Sequence, residues 1–330
     1  MLHIHNGDST ASTLREFGFP GEHLAFREVL MEGPTPSGLS PKEWLKVRAK
    51  FLAEAYELEL EDCEKDVSIQ QAALARFTEH DETILWFEHD LFCQINLIYL
   101  LDWFSKQSRA NARLSLICIG EFPGKPGFRG LGELTGEQLA SLFEGRHEVA
   151  DTEIELAGRA WAAYCANHPE EITRLLEEDT TAMPFLGDAL RLHLTRFPSM
   201  KNGLNQIEDK SLEMISNGDS AFKSLFPRFN NAHPVYGMGD SQFWCALKRL
   251  GKAENPLITI TGLPEGAPEH KSSRFHDASF ELTETGRAVL AAERDFIDIN
   301  GIDVWLGGVH VVEGSVWIWD EQQRELVHAV

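Results

Sequence analysis

Cysteine is scarce in this sequence and never paired. The five cysteines (Cys63, Cys93, Cys118, Cys165 and Cys245) are scattered, odd in number and form no C-x-x-C pair. That argues against a disulfide framework and fits reduced thiols in a cytosol. Long apolar runs are missing too. The most apolar stretch, Ile95 to Phe104, is broken by Asn96 and Asp102 and falls far short of the roughly 20 residues a membrane-spanning helix needs. The opening residues Met1-Leu2-His3-Ile4-His5-Asn6-Gly7-Asp8 have no cationic start and no long apolar core, so no signal peptide is expected. Positive charge is in short supply: 30 Lys and Arg against 52 Asp and Glu leave a formal net charge of -22. Such a field repels polyphosphate and anionic membrane, which disfavours unaided nucleic-acid binding but leaves metal ions, cationic ligands and protein partners open. No P-loop, complete G-x-G-x-x-G, G-x-S-x-G or H-E-x-x-H occurs, so the common nucleotide and hydrolase classes lose support.

What is present is centred on Thr83 to Leu101. Ile84, Leu85, Trp86 and Phe87 form a continuous bulky apolar run, as in a strand covered on both faces. Glu88, His89 and Asp90 follow without a gap, and Leu91, Ile95, Ile98 and Leu101 then recur at helical spacing. The stretch reads as a strand, a charged turn and a buried helix. In open parallel sheets, ligands bind at that turn.

The 330 residues, 43% of them hydrophobic, predict two or three compact units. Strands are expected at Leu2–His5, Leu24–Leu30, Ile84–Phe87 and Arg113–Ile119. Helices are expected from about Ala11, from Pro41 behind Ser40, and over 67–79, with the acidic run from Glu57 to Asp66 as a solvated helix end or loop. This alternation predicts an α/β domain over 1–130: an open, mostly parallel sheet with helices on both faces. Residues 131–198 read as a helical extension packing on it. Residues 199–330 read as a winged-helix-like α+β unit: helices near 206–216, 220–229 and 240–250, strands at 256–261 and 279–282 around a loop of Gly, Pro, His and Lys, and a terminal hairpin of Val309–Val312 with Ser315–Trp319. From Lys201 to Leu290 there are 10 basic and 11 acidic residues, so that unit carries no electrostatic footprint for DNA.

A parallel sheet gathers the strand ends on one edge. Glu88, His89 and Asp90 are the candidate catalytic residues, of which two can reach a common point. Asn6, Gly7, Asp8, Ser9, Arg27, Glu32 and Gln94 are candidate ligand-binding residues, and Asp8, Glu88 and Asp90 could hold a divalent cation. The bland alternative has Asp90 capping the next helix, Glu88 paired with Arg27, and His89 exposed. Cys93 reads as an inert buried thiol.

Three motifs carry a resemblance: His3-Ile4-His5-Asn6-Gly7-Asp8-Ser9, Phe26-Arg27-Glu28-Val29-Leu30-Met31-Glu32-Gly33-Pro34, and Trp86-Phe87-Glu88-His89-Asp90-Leu91-Phe92-Cys93-Gln94. They resemble a bacterial family catalogued as domain of unknown function eighteen-thirty-five, and later segments (Phe128–Thr135 and Asn300–His310) resemble its longer members. Cys93 departs from the pattern, where an acidic residue is expected. The resemblance implies a cytosolic bacterial protein and brings no activity with it. The functional expectation is a protein that binds or processes a small polar ligand, phosphorylated or not, at the strand ends. The alternatives are a ligand-sensing transcription regulator and a protein-interaction module, with a protein partner or a second copy as the further associations left open.

Overall fold

The first strand, β1 (Leu2–Asn6), leads through Gly7 into α1 (Asp8–Phe17), and β2 (Glu22–Phe26) returns parallel to β1. The computed structural model describes residues 1–107, 112–263 and 275–329. β2 is shorter and earlier than the expected Leu24–Leu30. Arg27 and Glu28 explain the difference, because each is committed elsewhere: the Arg27 N–H goes to Gln70 and its guanidinium to Asp8, while buried Glu28 is neutralised by buried Arg48 at 3.0 Å.

The chain then forms β3 (Gly33–Pro34), α2 (Pro41–Tyr56) and α3 (Leu60–Ala75). Ser40 and Glu43 close a capping box at the start of α2, with Pro41 in the first turn. The acidic run begins, as expected, as the exposed end of α2 (C-cap Glu57) and a short loop, but most of it is helical. It supplies the first turns of α3, because Cys63 and Val67 lie on one helical face and pack on Ala49 of α2.

β4 (Glu82–Glu88), α4 (Leu91–Ser105), β5 (Arg113–Ile119), α5 (Gly136–Leu142) and β6 (His147–Glu148) complete the main sheet. Its order is β2-β1-β4-β5-β6, parallel except for the short edge strand β6. Period-two alternation divides β4 between two cores. Ile84 and Trp86 join Leu14 of α1 and Leu139 of α5 on one face, whereas Leu85 and Phe87 pack with Leu91, Ile95 and Ile98 of α4 on the other. All of these side chains are buried. A helix that is apolar all round needs cover on every side, and α4 receives it from β4, α6 (Asp151–Tyr164) and α8 (Leu186–Leu194), with α7 (Glu170–Leu176) between these two helices in the chain.

The last third comprises α9 (Gln206–Ser216), α10 (Phe222–Ala232), α11 (Asp240–Lys252), the antiparallel pair β7 (Ile258–Thr261) and β8 (Ser279–Leu282), α12 (Glu284–Leu290) and α13 (Phe296–Asn300). The expected loop between β7 and β8 falls largely on 264–274, outside the described residues. β9 (Asp303–Gly307) and β10 (Val309–Val312) form one antiparallel pair, and β11 (Val316–Asp320) and β12 (Glu325–Ala329) another. The terminal hairpin is thus re-paired. Val312 and Ser315 make only a single bridge around Glu313-Gly314, and β11 takes β12 as its partner instead.

β9 also pairs in parallel with β3, Gly33 opposite Leu306. One continuous apolar core accordingly runs from Leu2 to Trp319. Among the described residues no helix is long and apolar enough to cross a membrane.

Candidate functional site: a carboxyl pair at a strand end

Because β1 and β4 are adjacent and parallel, the turns that follow them open on the same edge. Glu88 ends β4, and Asp90 is the N-cap of α4, its carboxylate accepting the Cys93 N–H at 2.8 Å. That cap turns the Cys93 thiol back toward the strand end. Carboxylate oxygens of Glu88 and Asp90 and the Cys93 sulfur all lie within 4.8 Å of one another. Two of the three consecutive ionisable residues therefore do converge, and His89 is the one that does not. Its ring lies against Phe128 and Phe185 at centroid distances of 6.5 and 6.0 Å. From there it lines a groove of about 910 Å3 between α8 and the last third of the chain.

The pair is enclosed by two of the expected residues, Asn6 and Gln94, and by others that the sequence did not single out. Glu88 Oε1 accepts the Leu131 N–H at 2.6 Å. Gly130 and Gly237 press so closely that a Cβ on either would overlap the Glu88 or the Asp90 carboxyl, respectively. Asn6 donates to the Cys93 sulfur at 2.7 Å and is itself held by Asn96, whose amide donates to Asn6 Oδ1 at 2.7 Å and to the Glu28 carbonyl at 2.8 Å. The signal for Asn96 was present: a fully buried amide in an otherwise apolar helix must find hydrogen bonds. Gln94 donates to the Glu88 carbonyl at 2.7 Å, so it fixes the end of β4 from behind.

Electrostatics follow from burial. Desolvation first, and the neighbouring Asp90 second, push the Glu88 carboxyl up to about 8. Burial also raises Asp90, against the Cys93 N–H and His89, which lower it. Among the described residues neither carboxyl forms an ion pair with a cationic side chain, and desolvation favours the protonated form of each. Burial and the two carboxyls raise the Cys93 thiol well above its ordinary value, which makes it a poor nucleophile.

Two expectations are corrected here. Asp8 does not complete a cation site with Glu88 and Asp90, because it is bound bidentately by Arg27 at 2.6 and 2.7 Å, both side chains being largely exposed. Arg27 consequently pairs with Asp8 and not with Glu88. Glu32 is absent from the cluster as well: its carboxylate accepts the Tyr56 hydroxyl at 2.7 Å and lines a separate cavity. Ser9, exposed in the first turn of α1, faces Gly132 beside the loop that covers Glu88. Gly7, at φ 96°, starts α1 without a side-chain cap, leaving N–H groups of the first turn available.

The donor set has a definite preference among metals. Two carboxylates with a thiol suit Zn²⁺ better than Mg²⁺, which takes oxygen ligands. Such an ion would have to displace the protons on Glu88 and Cys93, so its binding would be steeply pH-dependent. No protein-family model matches the chain, and no curated protein matches it.

Proposed function

We propose that the protein binds a small polar ligand at the carboxyl ends of β1 and β4 and exchanges a proton with it through Glu88 and Asp90. The observation that carries this reading is the close approach of two carboxyls at one strand end, Asp90 buried and Glu88 half-buried, where desolvation raises Glu88 to about 8 and lets the pair share a proton. A carboxyl that titrates near neutrality can act as acid and as base at one pH, which is the condition for efficient general acid–base catalysis. Asn6 and the uncapped first turn of α1 (Gly7, Asp8, Ser9) supply polar groups beside it. A phosphate or carboxylate on the ligand has α1 N–H groups to meet, with Arg27 nearby through Asp8. Five scattered cysteines, unpaired in the sequence, suit a reducing, cytosolic setting, and the three motifs resemble those of the eighteen-thirty-five family.

The regulator reading has less support. In the unit formed by α9 to α12, the helix in the recognition position is α11. Its Lys248 bonds Glu57 and its Cys245 bonds the Ala55 carbonyl at 3.4 Å, so this face packs on α2.

A thermal-shift screen of sugar phosphates, nucleotides, amino acids and divalent ions against the full chain, at pH 6 and pH 9, tests the proposal. A hundredfold excess over Kd should stabilise by about 2.7 kcal/mol, and Glu88→Gln or the higher pH should remove the effect. A hit indifferent to both, or no hit across the panel, would refute the reading.

A further inference from the structure

Beside the β3–β9 pairing, a cavity of about 310 Å3 is lined by several separate stretches of chain, with Glu32, Phe51, Arg196, Gln242 and Leu306 among its walls. This is at the small end of ligand pockets, roughly 300–1,000 Å3. Two of its polar groups lack the partners that burial demands. Arg196 is only 7% exposed, and its one hydrogen bond among the described residues goes to the Met31 carbonyl. No carboxylate there forms an ion pair with it. Glu32 feels its charge from a distance without pairing, and burial favours the protonated Glu32 carboxyl. Gln242, 6% exposed, spends its Oε1 on the Gly239 N–H at 3.0 Å, while its buried Nε2 makes no hydrogen bond of good geometry and only leans on the Glu32 carboxyl. The other charged side chains at the cavity are already occupied: Arg249 pairs with Glu208, and Asp303 bonds His310 at 2.7 Å. A buried guanidinium without a carboxylate partner is costly, and the poorly satisfied Gln242 amide lies beside it as a second donor.

We infer that this cavity is a second binding site, for a small carboxylic acid with an apolar body. The carboxylate would pair with Arg196 and accept from Gln242 Nε2, a charge-assisted arrangement. Its hydrocarbon part would lie against Phe51, Ile207, Met238 and Leu306. Since the walls come from both ends of the chain, beside the β3–β9 pairing, such a ligand braces the junction between them.

Calorimetric and thermal-shift titrations of the full chain with butyrate, hexanoate and benzoate test this, with hexanol and hexylamine as controls. At least one acid should bind saturably and raise the melting temperature while the alcohol and the amine do not. Arg196→Met should weaken that acid by roughly tenfold to a hundredfold, with the melting temperature of the free protein unchanged or raised. Gln242→Leu should weaken it more modestly and stands in if the arginine variant fails to fold. Glu88→Gln should leave it untouched, which keeps this site distinct from the carboxyl pair. No saturable acid binding, equal binding of hexanol, or affinity unchanged in the folded variants would overturn the inference.

Discussion

Gly237 lies directly against Asp90: a Cβ there would overlap the carboxyl at Oδ1 and Cγ. The residue comes from the turn between α10 and α11, so the last third of the chain closes over the carboxyl pair built by β4 and α4. Cover of this kind desolvates Asp90, and desolvation is the leading cause of its raised carboxyl.

The first prediction uses that contact. Gly237 has φ 65° and an occupied Cβ position, whereas Gly18 has φ 77° and open space around it. Gly18→Ala should cost only the left-handed backbone share, about 1–2 kcal/mol. Gly237→Ala should cost that and about 1–3 kcal/mol more for overpacking. Urea denaturation of both variants measures the gap, and equal losses would mean that Asp90 gives way freely.

The second prediction concerns alkaline pH. Glu88 is raised from 4.5 to about 8 in the folded state, so its contribution to stability is fully present below pH 4.5 and is lost as pH rises towards 8. Glu88→Gln cannot ionise. Relative to the parent, the variant should gain stability by a few kcal/mol between pH 5 and pH 9, read from denaturation midpoints across that range. A parallel pH profile for the two proteins would remove the shared-proton picture.

The third prediction concerns acid. His5 donates from Nε2 to His23 Nδ1 at 3.0 Å once His23 Nε2–H is committed to the Phe19 carbonyl, and Trp86 donates to His3 Nδ1 at 3.1 Å. These bonds fix neutral rings. Burial lowers His3 to about 4 and holds His5 well below its ordinary value. For a histidine lowered in this way, the unfolded chain binds the proton first, so stability is present above pH 6.5 and falls as pH drops toward 4. Each such ring contributes a slope of about 1.4 kcal/mol per pH unit. His5→Phe should flatten the acid limb by about one proton, which a pH series of unfolding free energies would detect. An unchanged slope would show that His5 is already charged in the folded protein.

The sequence by itself determined the elements whose hydrogen bonds close within a short stretch. The run Ile84 to Phe87 announced a doubly covered strand, Asp90 stood where a helix cap belongs, and Ser40-Pro41 marked the start of α2. Convergence of two residues among Glu88, His89 and Asp90 was legible too, since a strand end and an N-cap two residues apart face one ligand position.

Which groups became partners was decided only by the tertiary structure. Asp8 was as near to the strand end as its position promised, but Arg27, freed when β2 stopped at Phe26, claimed it. Glu32 was drawn away because Gly33 pairs with Leu306, two residues remote in sequence whose strands are too short to show any local pattern. Phe128 and Phe185 took His89, and Gly237 came from the far end of the chain to cover Asp90. Periodicity and capping are settled by neighbours a few residues apart. The pairing of charges and the burial of a carboxyl depend on surfaces that meet only after the whole chain has folded.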